Sequence, residues 1–211
     1  MIEGLEGKGI AVYCASSSAI DSLYFEAARR LGILMGQSRA RLVYGGTNIG
    51  LMGAVAGAVL EHGGEALGVI PALINAAGIA HPELTELILT DGMRERKAIM
   101  EERAEAYIAL PGGYGTLEEI FEILTLKQLG YHQKAVVLLN INRYYDPLLA
   151  LLGSATEQRF MKPSNLGLFH LATTPEEALE YIASYQPGPA EAKWLPPKLS
   201  ESKQGEVPGT E

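Results

Sequence analysis

Two short stretches combine side chains and backbone that could handle an anionic ligand. In Pro111-Gly112-Gly113-Tyr114-Gly115-Thr116-Leu117-Glu118-Glu119, three glycines follow the apolar run Tyr107-Ile108-Ala109-Leu110 and open a stretch of helical period. Strand, glycine loop and helix in that order bring free N–H groups and the positive end of a helix dipole to one point, and glycine lets a ligand approach the main chain. Thr116 can cap the helix or donate to a phosphate oxygen. The same residue types also start ordinary helices, so the loop alone leaves phosphate binding and a structural turn both open. Met93-Arg94-Glu95-Arg96-Lys97 opens another helical stretch. It reads either as a solvated basic face or as Arg96 and Lys97 closing over an anion held by the glycine loop.

The helix after the glycine loop carries Leu117, Ile120, Phe121 and Leu124 at i, i+3, i+4 and i+7, a stripe expected to face the sheet. That places Glu119 on the opposite side, beside Ile123 and Leu126. Apolar neighbours are unusual on a solvated face, so Glu119 is expected in a pocket or at a subunit interface; an exposed glutamate beside two incidental apolar residues is the alternative. A second glycine turn, Tyr44-Gly45-Gly46-Thr47-Asn48-Ile49-Gly50-Leu51-Met52-Gly53, leads into a helix of small residues, Gly53, Ala54, Ala56, Gly57 and Ala58. It reads equally as close helix packing and as a second binding loop. A third turn, Ala15-Ser16-Ser17-Ser18, offers hydroxyl donors.

Each turn follows an apolar run, and those runs set the frame. Runs at Ile10 to Tyr13, Leu42 to Tyr44, Ala66 to Val69, Leu87 to Leu89, Ala106 to Leu110, Ala135 to Leu139 and Leu168 to Leu171 read as strands. Helical period covers Ser22 to Gly36, Leu51 to His62, Arg94 to Glu105, Leu117 to Leu129, Tyr145 to Gln158 and Pro175 to Tyr185. This alternation predicts an α/β fold, one doubly wound, mostly parallel sheet of about seven strands with helices on both faces. All three turns then open on the carboxyl edge, where such sheets bind ligands. Pro71 to Pro82 lacks a period and reads as a long loop, of the kind often used as a lid.

The 211 residues suit a single domain over 1–186. Residues 187–211 hold five of the 11 prolines and read as a Pro-rich, disordered tail carrying the sole tryptophan, Trp194. With 17 Lys plus Arg against 25 Asp plus Glu, the net charge of −8 argues against nucleic acid as a partner. The opening residues lack a signal-peptide pattern and no run approaches a membrane span, so no membrane partner is expected and the cytoplasm is the expected location. Cys14 is the one cysteine, and the four histidines are scattered, so no metal site is expected. Neither glycine turn fits the dinucleotide pattern G-x-G-x-x-G, and the P-loop pattern is absent.

Together, Pro-Gly-Gly-x-Gly-Thr-x-x-Glu at 111–119, Arg-Lys at 96–97 and Tyr-Gly-Gly-x-x-x-Gly-Leu-Met-Gly at 44–53 resemble the Lonely Guy family of cytokinin-activating phosphoribohydrolases, often mislabelled as lysine decarboxylases. The likeness spans about residues 9–185. It implies a Rossmann-like homodimer without a cofactor that hydrolyses the N-glycosidic bond of adenosine 5'-monophosphate, commonly N6-modified, to free base and ribose 5-phosphate. Position by position, it implies Arg96 and Glu119 as the catalytic pair. Ser17, Gly46, Met93, Lys97, Gly112, Gly113, Tyr114, Gly115, Thr116, Leu117, Glu118, Thr125 and Glu86 would line the nucleotide site. Ala15 and Thr47 stand where the family usually has glycine. Three other readings remain: AMP turnover, a nucleotide-binding module without catalysis, and the decarboxylase, which needs a pyridoxal phosphate lysine that no sequence context proposes.

Overall fold

Apolar runs and helical stretches alternate along the chain as β1 (Gly9–Tyr13), α1 (Ser22–Gln37), β2 (Arg41–Tyr44), α2 (Gly50–Glu61), β3 (Glu65–Pro71), α3 (Ala72–Asn75), β4 (Glu86–Thr90), α4 (Met93–Arg103), β5 (Ala106–Ala109), α5 (Tyr114–Leu129), β6 (Ala135–Leu139), α6 (Asp146–Glu157), β7 (His170–Ala172) and α7 (Pro175–Ser184). The computed structural model describes residues 1–188. The tail read from 187–211, with Trp194, therefore lies outside the described residues from 189 onward.

The seven strands form one sheet in the order β4-β3-β2-β1-β5-β6-β7, and every neighbouring pair is parallel. The chain winds outward from β1 to β4, returns, and winds outward the other way from β5 to β7. That is the doubly wound sheet expected from sequence, and its winding reverses between β1 and β5, the point at which sheets of this kind bind ligands at their carboxyl ends.

Strand alternation sorts the core. Ile10, Val12 and Cys14 join α1, α2 and α7 on one face, whereas Ala11 and Tyr13 join Met100 of α4 and Ile120 and Ile123 of α5 on the other. The small residues of α2 serve the packing reading: a Cβ on Gly32 of α1 would stand 2.5 Å from the Val55 carbonyl oxygen, and one on Gly36 would stand 2.6 Å from that of Val59. α1 and α2 thus touch backbone to backbone.

Several boundaries differ from the sequence expectation. α5 begins at Tyr114 rather than Leu117, so the last glycine of the loop already lies in the helix. The seventh strand shifts to His170–Ala172 because Pro163–Leu168 coils into a 3-10 helix. The stretch from Pro71 to Pro82 is partly regular, forming α3. It then folds onto the second glycine turn, where the Ile79 carbonyl accepts from Asn48 N–H (2.8 Å) and His81 N–H donates to the Gly46 carbonyl (2.9 Å). It braces that turn. Among the described residues no helix is long and apolar enough to cross a membrane, and no group of three or more His, Cys, Asp or Glu side chains could hold a metal ion.

Candidate functional site

The crevice is walled by backbone. Leu110 N–H donates to the Tyr13 carbonyl (2.9 Å), Ala15 N–H to the Pro111 carbonyl (3.2 Å) and Leu51 N–H to the Ala15 carbonyl (2.9 Å), which ties the three turns into one rim. Neither Ala15 nor Thr47 has a positive φ, so neither side chain costs left-handed strain at its turn. Gly112 is at the tightest point: a Cβ there would lie 2.1 Å from Thr116 Oγ1 and 3.0 Å from Ala15 N. Gly112→Ala is expected to destabilise the fold by about 1–3 kcal/mol through overpacking, measured as a lowered midpoint in urea; an unchanged midpoint would mean that the loop is looser than these contacts.

Gly113 and Gly115 behave differently. A Cβ on either would meet nothing within 4 Å, and neither has a positive φ. The fold does not demand glycine at these positions, and their bare backbone faces open space at the start of α5. No side chain caps α5, so its first N–H groups have no side-chain acceptor and the helix dipole points into the crevice.

Arg96 and Glu119 meet beside this loop. Arg96 rises from the first turn of α4, donates through Nε to the Val69 carbonyl at the end of β3 (3.2 Å) and pairs through Nη2 with Glu119 Oε1 at 2.8 Å. Both side chains are nearly covered, at 12% and 8% exposure. Gly45 makes room for the guanidinium, since a Cβ there would lie 2.7 Å from Nη2. Burial pushes the Glu119 carboxyl above its ordinary range, and the Arg96 charge pulls it part of the way back. Tyr13 is buried against this pair; burial raises its hydroxyl pKa, and the Glu119 charge raises it further.

The helix face containing Glu119 corrects the sequence reading. The buried residues of α5 are Thr116, Glu119, Ile120, Ile123 and Lys127, whereas Phe121 is exposed and Leu117 and Leu124 are half-covered. Glu119 is therefore on the sheet-facing side. The physical reason is that α5 is apolar on nearly every side, and the buried Arg96 decides which side turns inward.

The remaining sequence candidates fall into two groups. Lys97 reaches across to Glu118 and to Glu122 (2.9 Å), and its hydrogen bond to Glu118 leads in raising its pKa, so it stays an ammonium. Met93 opens α4, its Sδ 3.6 Å from Arg96 Nη1. Tyr114 stands fully exposed at the start of α5, Gly46 takes a left-handed φ of 77°, and Ser17 lies exposed on the rim. Two candidates are not brought to the pair. Glu86 opens β4 at the amino edge of the sheet, bonded to Arg41, the opposite edge from the glycine loops. Thr125 lies about 9 Å further along α5, exposed, with its hydroxyl donating to the Phe121 carbonyl (2.7 Å).

Sequence reasoning missed Tyr13, Tyr144 and Tyr145. The Tyr144 hydroxyl donates to the Gly112 carbonyl and that of Tyr145 to the Leu110 carbonyl, each at 2.7 Å. Period-2 alternation could have placed Tyr13 on the Glu119 side; nothing local announces the other two.

A family profile described as "Possible lysine decarboxylase" matches residues 52–182. The chain is 42% identical over 180 residues to a cytokinin riboside 5'-monophosphate phosphoribohydrolase of Arabidopsis thaliana, covering 85% of this chain and 79% of that protein. It is 42% identical over 178 residues to an enzyme of the same name from Rhodococcoides fascians, covering 84% and 90%. The fold matches that of a molybdenum cofactor binding protein from Rippkaea orientalis with a TM-score of 0.65 at 24% identity, over 85% of this chain and 98% of that one.

Proposed function

The chain belongs to the family of the cytokinin riboside 5'-monophosphate phosphoribohydrolases, and on that premise we propose that it hydrolyses the N-glycosidic bond of an N6-modified adenosine 5'-monophosphate, releasing the free base and ribose 5-phosphate. The observation that carries the reading is the buried Arg96–Glu119 pair beside an uncapped glycine loop at the reversal point of the sheet.

The chemistry follows from these groups. Loss of the base from C1' builds positive charge on the ribose, and a carboxylate close to that carbon stabilises it. Glu119 supplies the carboxylate and orients either the attacking water or a ribose hydroxyl. Its raised pKa brings it nearer to neutral pH than an ordinary carboxylate, which suits proton transfer. Arg96 keeps Glu119 charged and in place. The backbone from Gly112 to Thr116 holds the phosphate, binding energy remote from the reacting bond that positions the sugar. Lys97, fixed by Glu118 and Glu122, holds an ammonium donor at the rim.

The residues present do not suit pyridoxal phosphate. A Schiff base needs a neutral amine, whereas Lys97, the lysine at the site, is held as an ammonium. Burial pushes Lys127 down to about 8, but it lies about 20 Å along α5 from the glycine loop.

We place the catalytic unit in residues 1–186, working as a homodimer in the cytoplasm. Exposed Phe121, Leu151, Phe160 and Leu166 supply apolar surface suited to a second copy. The function is tested by incubating the purified protein separately with AMP and with N6-isopentenyladenosine monophosphate and following free base and ribose 5-phosphate by chromatography. Release with a higher kcat/KM for the isopentenyl nucleotide is expected. Preference for AMP would redirect the reading to nucleotide turnover, and binding without release would leave a nucleotide-binding module.

A further inference from the structure

We propose that Tyr144 is a positioning residue that aims the main-chain N–H of Gly113 at the substrate phosphate. The inference rests on the phosphate-holding role given to the glycine loop above. In a trans peptide the C=O and the following N–H point in opposite directions, and no peptide bond among the described residues is cis. The Tyr144 hydroxyl donates to the Gly112 carbonyl oxygen at 2.7 Å. Fixing that oxygen fixes the plane of the Gly112–Gly113 peptide, with the Gly113 N–H on the side away from Tyr144. On the preceding peptide, the Pro111 carbonyl accepts from Ala15 N–H, which turns the Gly112 N–H away from β1. Two successive glycine N–H groups thereby have set directions before any ligand arrives, the preorganisation an anion cradle requires.

The turn that delivers Tyr144 is built at a cost. Asn142 and Arg143 both hold left-handed φ angles, 49° and 61°, immediately before it. Such strain persists where surrounding contacts over-determine it, and here they do. Asn140 Oδ1 accepts from Tyr145 N–H (2.7 Å), Asn140 Nδ2 donates to Asp146 Oδ1 (2.9 Å), and Arg143 pairs with Asp146 at 2.6 Å. The Tyr144 ring is set edge-on to Tyr145 and Tyr24, with centroids 5.2 and 6.2 Å away. With the residue 40% exposed, Tyr144 has little role as core filling.

The test is Tyr144→Phe, which keeps the ring and deletes the hydroxyl. We measure kcat and KM for N6-isopentenyladenosine monophosphate, inhibition by each product, ribose 5-phosphate and N6-isopentenyladenine, and the melting temperature. KM and the inhibition constant for ribose 5-phosphate should rise together by about tenfold, as for loss of one oriented hydrogen-bond donor. The constant for the base should stay unchanged, kcat should change less than KM, and melting should hold. Equal weakening of both products, or of neither, overturns the role of Tyr144. A native protein that binds the riboside as tightly as its monophosphate overturns instead the phosphate-loop reading on which it stands.

Discussion

Glu119→Gln lowers kcat by about two to four orders of magnitude, the usual worth of a positioned acid–base group, while nucleotide affinity stays within a few-fold of the native value. The amide keeps the shape of the side chain and an oxygen for Arg96 Nη2, now 2.8 Å from Glu119 Oε1, but carries no charge to set against the ribosyl cation. The pH dependence carries the same signature. Burial raises the Glu119 pKa, so turnover, which needs the carboxylate, is lost as pH falls through a value above the ordinary glutamate range. The residual activity of the variant should lack that limb. Native-like turnover in Glu119→Gln would remove the residue from the mechanism altogether.

The second large effect comes from the other half of the pair. Arg96→Ala leaves a nearly covered carboxylate with no guanidinium beside it and frees the Val69 carbonyl of its donor. Breaking a buried pair by deleting one partner costs about 3 kcal/mol, because the remaining charge is stranded. Glu119 can escape by taking up a proton. The stability loss should therefore grow as pH rises, where the carboxyl must ionise, and shrink as pH falls and the carboxyl takes up its proton; melting curves across a pH series read it directly. Activity should fall at least as far as in Glu119→Gln. Arg96→Lys should recover part of the stability and little of the activity, since an ammonium is a point charge and cannot serve Val69 and Glu119 through a rigid fork. A pH-independent loss of stability would mean that Arg96 acts as packing rather than as a counter-charge.

Much of the fold was readable because its signals are local. Short apolar runs bounded by glycine turns identify strands buried on both faces, and seven of them alternating with helices leave few topologies other than the doubly wound one. Arg96 and Glu119 were named as a pair through the resemblance of three motifs in order, since the residue types alone left an ordinary helix start and a solvated basic face open. The failures share a cause. α5 is apolar around most of its circumference, so Leu117, Ile120, Phe121 and Leu124 make as good a stripe as Ile120 and Ile123. Periodicity could not choose; α5 turns Glu119 inward to Arg96 of the neighbouring α4 and Phe121 outward. Glu86 illustrates the converse: the family resemblance carried it into the site, whereas the strand's direction places it at the amino edge beside Arg41. Tyr144 and Tyr145 act on carbonyls 32 and 35 residues away, a relation that no local pattern records.

Arg96 holds more than a carboxylate. One side chain grips the end of β3 through the Val69 carbonyl and α5 through Glu119, elements on opposite sides of the point where the winding of the sheet reverses. It is thus a tie-bar between the two half-sheets, tightened or slackened by whatever charge sits in the crevice. A substrate that draws on Arg96 pulls on both halves at once, so occupancy of the site and cohesion of the molecule become a single thermodynamic quantity.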